Sequence, residues 1–164
     1  MFDLLIRGGL VVDGTGAEPV HADVGIRDGL VWEVGKLKGF RAQRTVDAYD
    51  LMVAPGFIDF HAHDDFNLPL NPGAAGKVLQ GVTTTVVGNC GWSPAPLLPE
   101  HRDAYVALSS FLDSGLSWGW QSFAEYVDAM PPLALNFCQL VGHVAVRTAV
   151  MGVENRPPQG DELE

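Results

Sequence analysis

Apolar positions in the first 53 residues fall in short aliphatic runs broken by glycine. Residues 4–6, 10–12, 24–26 and 30–34 have the length and side-chain types of strands. Asp13-Gly14 and Asp28-Gly29 are tight-turn dipeptides, and the second predicts a hairpin because strand-like runs flank it on both sides. This region predicts a small all-β unit with more strands than core. After Pro55 the pattern changes to strands alternating with helices. Residues 57–60 predict a buried strand, 74–80 a helix stopped by Gly81, and the β-branched run 82–87 a fully buried parallel strand. Gly88-Asn-Cys-Gly91 predicts a turn that exposes a thiol at the end of that strand. Residues 101–112 have helical spacing at Tyr105, Leu108 and Leu112. Ser122-Phe-Ala-Glu125 reads as a capping box opening a helix that runs to Met130 and stops at Pro131-Pro132. A third strand over 133–141, a helix over 144–151 and a polar tail with a helix beginning at Asp161 complete the pattern.

Strands that alternate with helices form βαβ units and a parallel sheet, where chemistry gathers at the C-terminal strand ends. His61 and His63, Cys90, and His143 all fall at such ends. The strand period of two puts His61 and His63 on one face, where neutral imidazoles suit Zn²⁺ and Asp64 or Asp65 could orient a ring nitrogen.

Charge and length narrow the partners. At 164 residues the chain can bury a sizeable core, and ten basic against twenty acidic side chains give a net charge of −10. A negative field of that size excludes nucleic acid and anionic membrane surfaces as expected partners. Two cysteines make no disulfide framework, the N-terminus lacks the basic charge of a signal peptide, and no apolar run is long enough to span a bilayer. The expected location is cytoplasmic.

Each candidate also has an ordinary reading. A His-x-His pair alone is a soft signal. Cys90 taken by itself reads as a small buried apolar residue, although its flanking glycines argue for exposure. Cys138, in mid-strand, reads as structural. His143 and Arg147 fit either a substrate-facing pair or packing and capping, and His21 and His101 read as surface residues. Ser93 lacks a G-x-S-x-G elbow, and Arg7-Gly8-Gly9 lacks the spacing of a phosphate loop.

Three segments together, the glycine-rich β unit, Pro55-Gly-Phe-Ile-Asp-Phe-His-Ala-His63 and Gly81-Val-Thr-Thr84, resemble the amidohydrolase superfamily. Within it, His63-Asp-Asp65, Val87-Gly-Asn-Cys-Gly-Trp-Ser-Pro-Ala-Pro96 and Val141-Gly-His-Val-Ala-Val-Arg147 followed by Val150-Met-Gly152 resemble the N-acyl-D-amino-acid deacylase (D-aminoacylase) branch. The resemblance implies an α/β fold with a small β-sandwich segment over 1–53. Residues 54–164 would then be the first three βα units of a metal-dependent (β/α)₈ barrel. It implies a zinc enzyme that hydrolyses N-acyl-D-amino acids, with His61, His63 and Cys90 as metal ligands. Cys90 would take the place that other amidohydrolases give to a carboxylated lysine or glutamate. His-Ala-His stands here where His-Thr-His is common, and the middle side chain points away from the metal.

Two further histidine ligands and a catalytic aspartate, which the family draws from later strands, match no residue here. The chain is therefore expected to be a truncated, inactive piece, or one that self-associates or is completed by a second chain. The alternatives are another amidohydrolase of the dihydroorotase or hydantoinase kind, which use a lysine where this chain has Cys90, and a non-catalytic partial domain.

Overall fold

A computed structural model describes residues 1–112 and 115–163; Asp113, Ser114 and Glu164, all inside the expected barrel segment 54–164, lie outside the described residues. The chain forms two compact units, Met1–Pro55 and Gly56–Glu164.

The first unit is one mixed sheet. Strands β1 (Phe2–Val11), β2 (Val20–Arg27), β3 (Leu30–Gly35), β4 (Ala42–Asp47) and β5 (Met52–Val53) are arranged β3-β2-β1-β4, with β5 also pairing β1. The two runs expected over 4–6 and 10–12 are one strand. They are separated by a bulge between Ile6 and Gly9, where Gly8 takes φ +72°. The bulge frees the Gly8 amide, which donates to Asp23 Oδ1 at 2.9 Å, while Asp23 Oδ2 accepts the Leu37 amide at 3.0 Å. Asp28 and Gly29 both have positive φ, +53° and +75°, as the expected hairpin turn requires. Strand β4 carries only one strongly β-forming pair, Thr45-Val46, so its sequence gave no clear strand signal. The core is small: Phe2, Leu5 and Leu37 are buried, and the Phe2 ring lies over Gly25, where a Cβ would collide with it.

The second unit carries a three-stranded parallel sheet, β6 (Phe57–Asp59), β7 (Val82–Val87) and β8 (Asn136–Gln139), in the order β6-β7-β8. Helices α1 (Ala75–Val78), α2 (Arg102–Leu108), α3 (Phe123–Asp128) and α4 (His143–Met151) connect and follow the strands. The capping box forms as its sequence predicts: Ser122 Oγ accepts the Glu125 amide, and the Glu125 carboxylate accepts the Ser122 amide. The Ser122 and Gln121 amides, both donating to the Glu125 carboxylate, hold that carboxyl below its usual range.

Three expectations need correction. The first strand is not buried, because Phe57, Ile58 and Phe60 are each more than half exposed on a sheet edge. Strand β7 is only partly buried, with Thr83 exposed and Thr85 and Val87 covered. Cys138, expected as a structural residue in mid-strand, does lie in β8 but is exposed. The reason is common to all three. The buried cluster of Phe66, Leu97, Tyr105, Trp118, Trp120 and Tyr126 gathers among loops and helices flanking the sheet, not on β6 or β8. Among the described residues no helix is long and apolar enough to cross a membrane.

Replacing Asp23 with alanine strands two backbone donors, at a cost of about 1–3 kcal/mol. Hydrogen exchange should show both the Gly8 and Leu37 amides losing protection in that variant, whereas unchanged protection would mean that Asp23 does not hold the bulge.

Candidate metal centre

Pairing between the ends of β6 and β7 builds the site. Strand β6 ends at Asp59, so His61 and His63 lie just beyond it and not within it as the strand period implied. Their spacing still works because the ladder continues: the Ala62 amide donates to the Val86 carbonyl at 3.2 Å. Ala62 is buried between the two histidines, which turns their side chains to the other side. The next turn, Asp64–Phe66, is held from above, because Tyr126 Oη donates to the Asp65 carbonyl at 2.9 Å.

Cys90 sits where three of four consecutive residues have positive φ: Gly88 at +82°, Cys90 at +55° and Gly91 at +82°. A non-glycine residue in this region costs about 1–3 kcal/mol and persists only where the surroundings impose it. Here they do. Asn89 Nδ2 donates to the carbonyls of Val86 at 2.8 Å and Ala62 at 3.3 Å, tying the cysteine turn to the histidine segment. A Cβ at Gly88 would strike the Leu140 carbonyl, and one at Gly142 would strike the backbone of Gly91 and Ser93. Beyond the turn, buried Ser93 accepts the Gly142 amide, Tyr105 Oη donates to the Ser93 carbonyl and Trp120 Nε1 to that of Pro94. Ser93 is thus a structural fastener.

These elements bring together all three residues expected at the site. The ligand atoms of His61, His63 and Cys90 lie within 4.8 Å of one another, and His61 Nε2 is 2.9 Å from Cys90 Sγ. A tetrahedral zinc shell with bonds of about 2.0–2.3 Å separates its ligands by about 3.3–3.8 Å, so sub-ångström to ångström adjustments would admit an ion. His63 Nδ1 is buried without a hydrogen-bond partner, an orphaned polar atom of the kind a bound group satisfies. The donor set, two imidazoles and a thiol, suits a borderline metal such as zinc.

The acids behave differently from expectation. Neither Asp64 nor Asp65 is hydrogen-bonded to a histidine ring among the described residues. Asp64 Oδ2 accepts from Thr85 Oγ1 at 3.2 Å and pairs with Lys77 Nζ at 2.7 Å. Asp65 is fully buried and its Oδ2 accepts from Gln139 Nε2 at 3.0 Å. Burial pushes its carboxyl up to about 7, against the lowering effect of the Gln139 hydrogen bond. Lys77 also pairs with Asp59, and this hydrogen bond is the main reason the Asp59 carboxyl is lowered.

His143 and Arg147 do not join the cluster. His143 is exposed at the start of α4, and Arg147 donates to the carbonyls of Glu154 and Arg156, a capping role. His21 is exposed, whereas His101 is half-buried, its ring lying against Gly152. Sequence reasoning assigned no role to Lys77, Asn89 or Gln139. Lys77 did carry a signal, being the only charged side chain between Asp65 and Glu100.

Comparison with known proteins matches residues 44–163 to the amidohydrolase family. The chain is 42% identical to D-aminoacylase of Alcaligenes xylosoxydans xylosoxydans, over 99% of its own length and 33% of the relative's. A solved D-aminoacylase structure, described for the functional role of its binuclear metal centre, superposes with a TM-score of 0.87 at 40% identity. It covers 99% of this chain and 34% of that one. N-acyl-D-glutamate deacylase from Bordetella bronchiseptica, solved with zinc and a phosphonate inhibitor, gives 0.81 at 40% identity, covering 98% and 34%. The chain thus spans about a third of the length of the relatives it matches.

Gly88→Ala places a methyl group against the Leu140 carbonyl at a left-handed position. It should destabilise the chain by more than about 1 kcal/mol. Urea unfolding measures this, and an unchanged midpoint would show that the turn relaxes freely.

Proposed function

This chain belongs to the amidohydrolase family, and we propose that its cluster is part of the metal centre of a zinc-dependent hydrolase of N-acyl-D-amino acids. The reaction would cleave the amide to a carboxylate and a free D-amino acid. The observation that carries this reading is the convergence of His61, His63 and Cys90 donor atoms within 4.8 Å. Similarity to D-aminoacylase over nearly the whole chain supplies the substrate class. On the same ground, residues 1–53 are read as strands of a small β-sandwich and 54–164 as the opening βα units of a (β/α)₈ barrel.

His61, His63 and Cys90 would hold the ion. When bound, zinc polarises a carbonyl and brings the pKa of a coordinated water to about 7. The chain's own contribution is placement. Exposed His61 and Cys90 leave one side of the cluster open to a small substrate, while the aromatic core behind Ser93 keeps the cysteine turn rigid. Proton transfer to the departing nitrogen needs a positioned acid–base group. Asp65 is held by Gln139 away from that task, and no residue of the 164 is assigned to it. The chain alone is therefore expected to retain zinc without measurable turnover. A second copy or a complementing chain would meet it along the free edges of β6 and β8.

Zinc content measured beside molar mass by light scattering tests the assignment. One tightly held zinc per chain is expected, and Cys90→Ala should release it with the far-ultraviolet circular dichroism unchanged. Zinc retained by the variant would remove Cys90 from the ligand set. Zinc bound only in an assembly would show that another chain completes the centre.

A further inference from the structure

Lys77 makes a second, purely electrostatic construction beside the cluster. It lies on α1, is only 19% exposed, and its ammonium pairs with two carboxylates that bracket the histidine segment. Asp59 stands two residues before His61, and Asp64 directly follows His63. Each carboxylate is fixed by another bond as well. Asp59 Oδ1 accepts the His61 amide at 3.2 Å, and Asp64 Oδ2 accepts Thr85 Oγ1 on β7 at 3.2 Å.

We propose that Lys77 is a positioning residue that clamps both ends of the His61–His63 segment and keeps Asp59 and Asp64 out of the metal's ligand set. This inference rests on the assignment of His61, His63 and Cys90 as ligands. Its logic is competition. Two carboxylates on either side of a histidine pair are themselves good ligands for a divalent cation. An ammonium held between them satisfies both and leaves the imidazoles and the thiol as the available donors. The same clamp ties the end of β6 to the turn that follows His63, so loss of the ammonium removes one tie at each end of the segment. Lys77 is the one salt-bridge partner of Asp59 and Asp64 among the described residues. Groups that orient metal ligands typically contribute about 10–100-fold in affinity.

The test uses the intact 164-residue chain with two readouts. In the metal-free protein, the alkylation rate of Cys90 by iodoacetamide at fixed pH reports the neighbouring His61 ring, with exposed Cys138 as an internal reference. Lys77→Met should change the Cys90-to-Cys138 rate ratio several-fold, and Lys77→Arg should restore it. Asp64→Asn, which removes one end of the clamp without changing size, should shift the ratio in the same direction and carries the test if Lys77→Met does not fold. An unchanged ratio in the folded variants overturns the inference. Cobalt binding is read separately. Wild type should show the intense near-ultraviolet band of a thiolate–cobalt bond, and Lys77→Met should bind cobalt about 10-fold more weakly. Absence of the band in wild type would sink the ligand assignment while the alkylation ratio still decides the role of Lys77.

Discussion

Parallel pairing of β6 with β7 is the constraint on which the site depends. It brings the ends of two strands, 29 residues apart at His61 and Cys90, to the same level of the sheet. The pairing then runs past the last formal strand residue through the Ala62 amide and the Asn89 side chain. Without that extension, His61 and Cys90 would belong to two independent loops, and bringing them together would carry the entropy cost of ordering each. With it, an exposed imidazole and an exposed thiol are held 2.9 Å apart. Cys90 adopts a left-handed conformation that a free loop would abandon, so the cost of strain falls on folding instead of on binding.

The surroundings of the cluster follow from where charge and water are allowed. Carboxylates next to a cation site can either ligate it or be occupied elsewhere. Here Asp59 and Asp64 are occupied by Lys77, and Asp65 is buried against Gln139 with its carboxyl pushed up to about 7. Burial disfavours the ionised form of that third acid. The hydrophobic core lies on the far side of the cysteine turn, where Tyr105, Trp120 and Ser93 fasten its exit. Rigidity is thus concentrated behind the cluster and exposure in front of it.

Much of this was readable from residue patterns. Local rules sufficed wherever the determinants lay within a few positions: the Asp28-Gly29 hairpin, the Ser122/Glu125 capping box, and the glycine-flanked turn at Cys90. The histidine pair was also legible, although the strand before it ends at Asp59, one residue short of the expected 57–60. What failed was burial. Residues 57–60 and 82–87 look like core strands by composition. The aromatic side chains that make the core come instead from segments without periodicity, such as the one containing Trp118 and Trp120. Long-range polar partners were equally hidden. Gln139 meets Asp65 across 74 residues, and nothing near either position announces the other. Lys77 was the exception, visible as a single charge in a long neutral stretch whose partners only the fold supplies.

X-ray absorption at the zinc edge of the zinc-loaded chain decides whether Cys90 and the two histidines share one ion, because it counts ligand types without requiring turnover. The expected shell contains one sulfur at about 2.3 Å and two imidazole nitrogens at about 2.0–2.1 Å, with the remaining position filled by oxygen or nitrogen. A shell of oxygen and nitrogen alone, with no sulfur scattering, would contradict it.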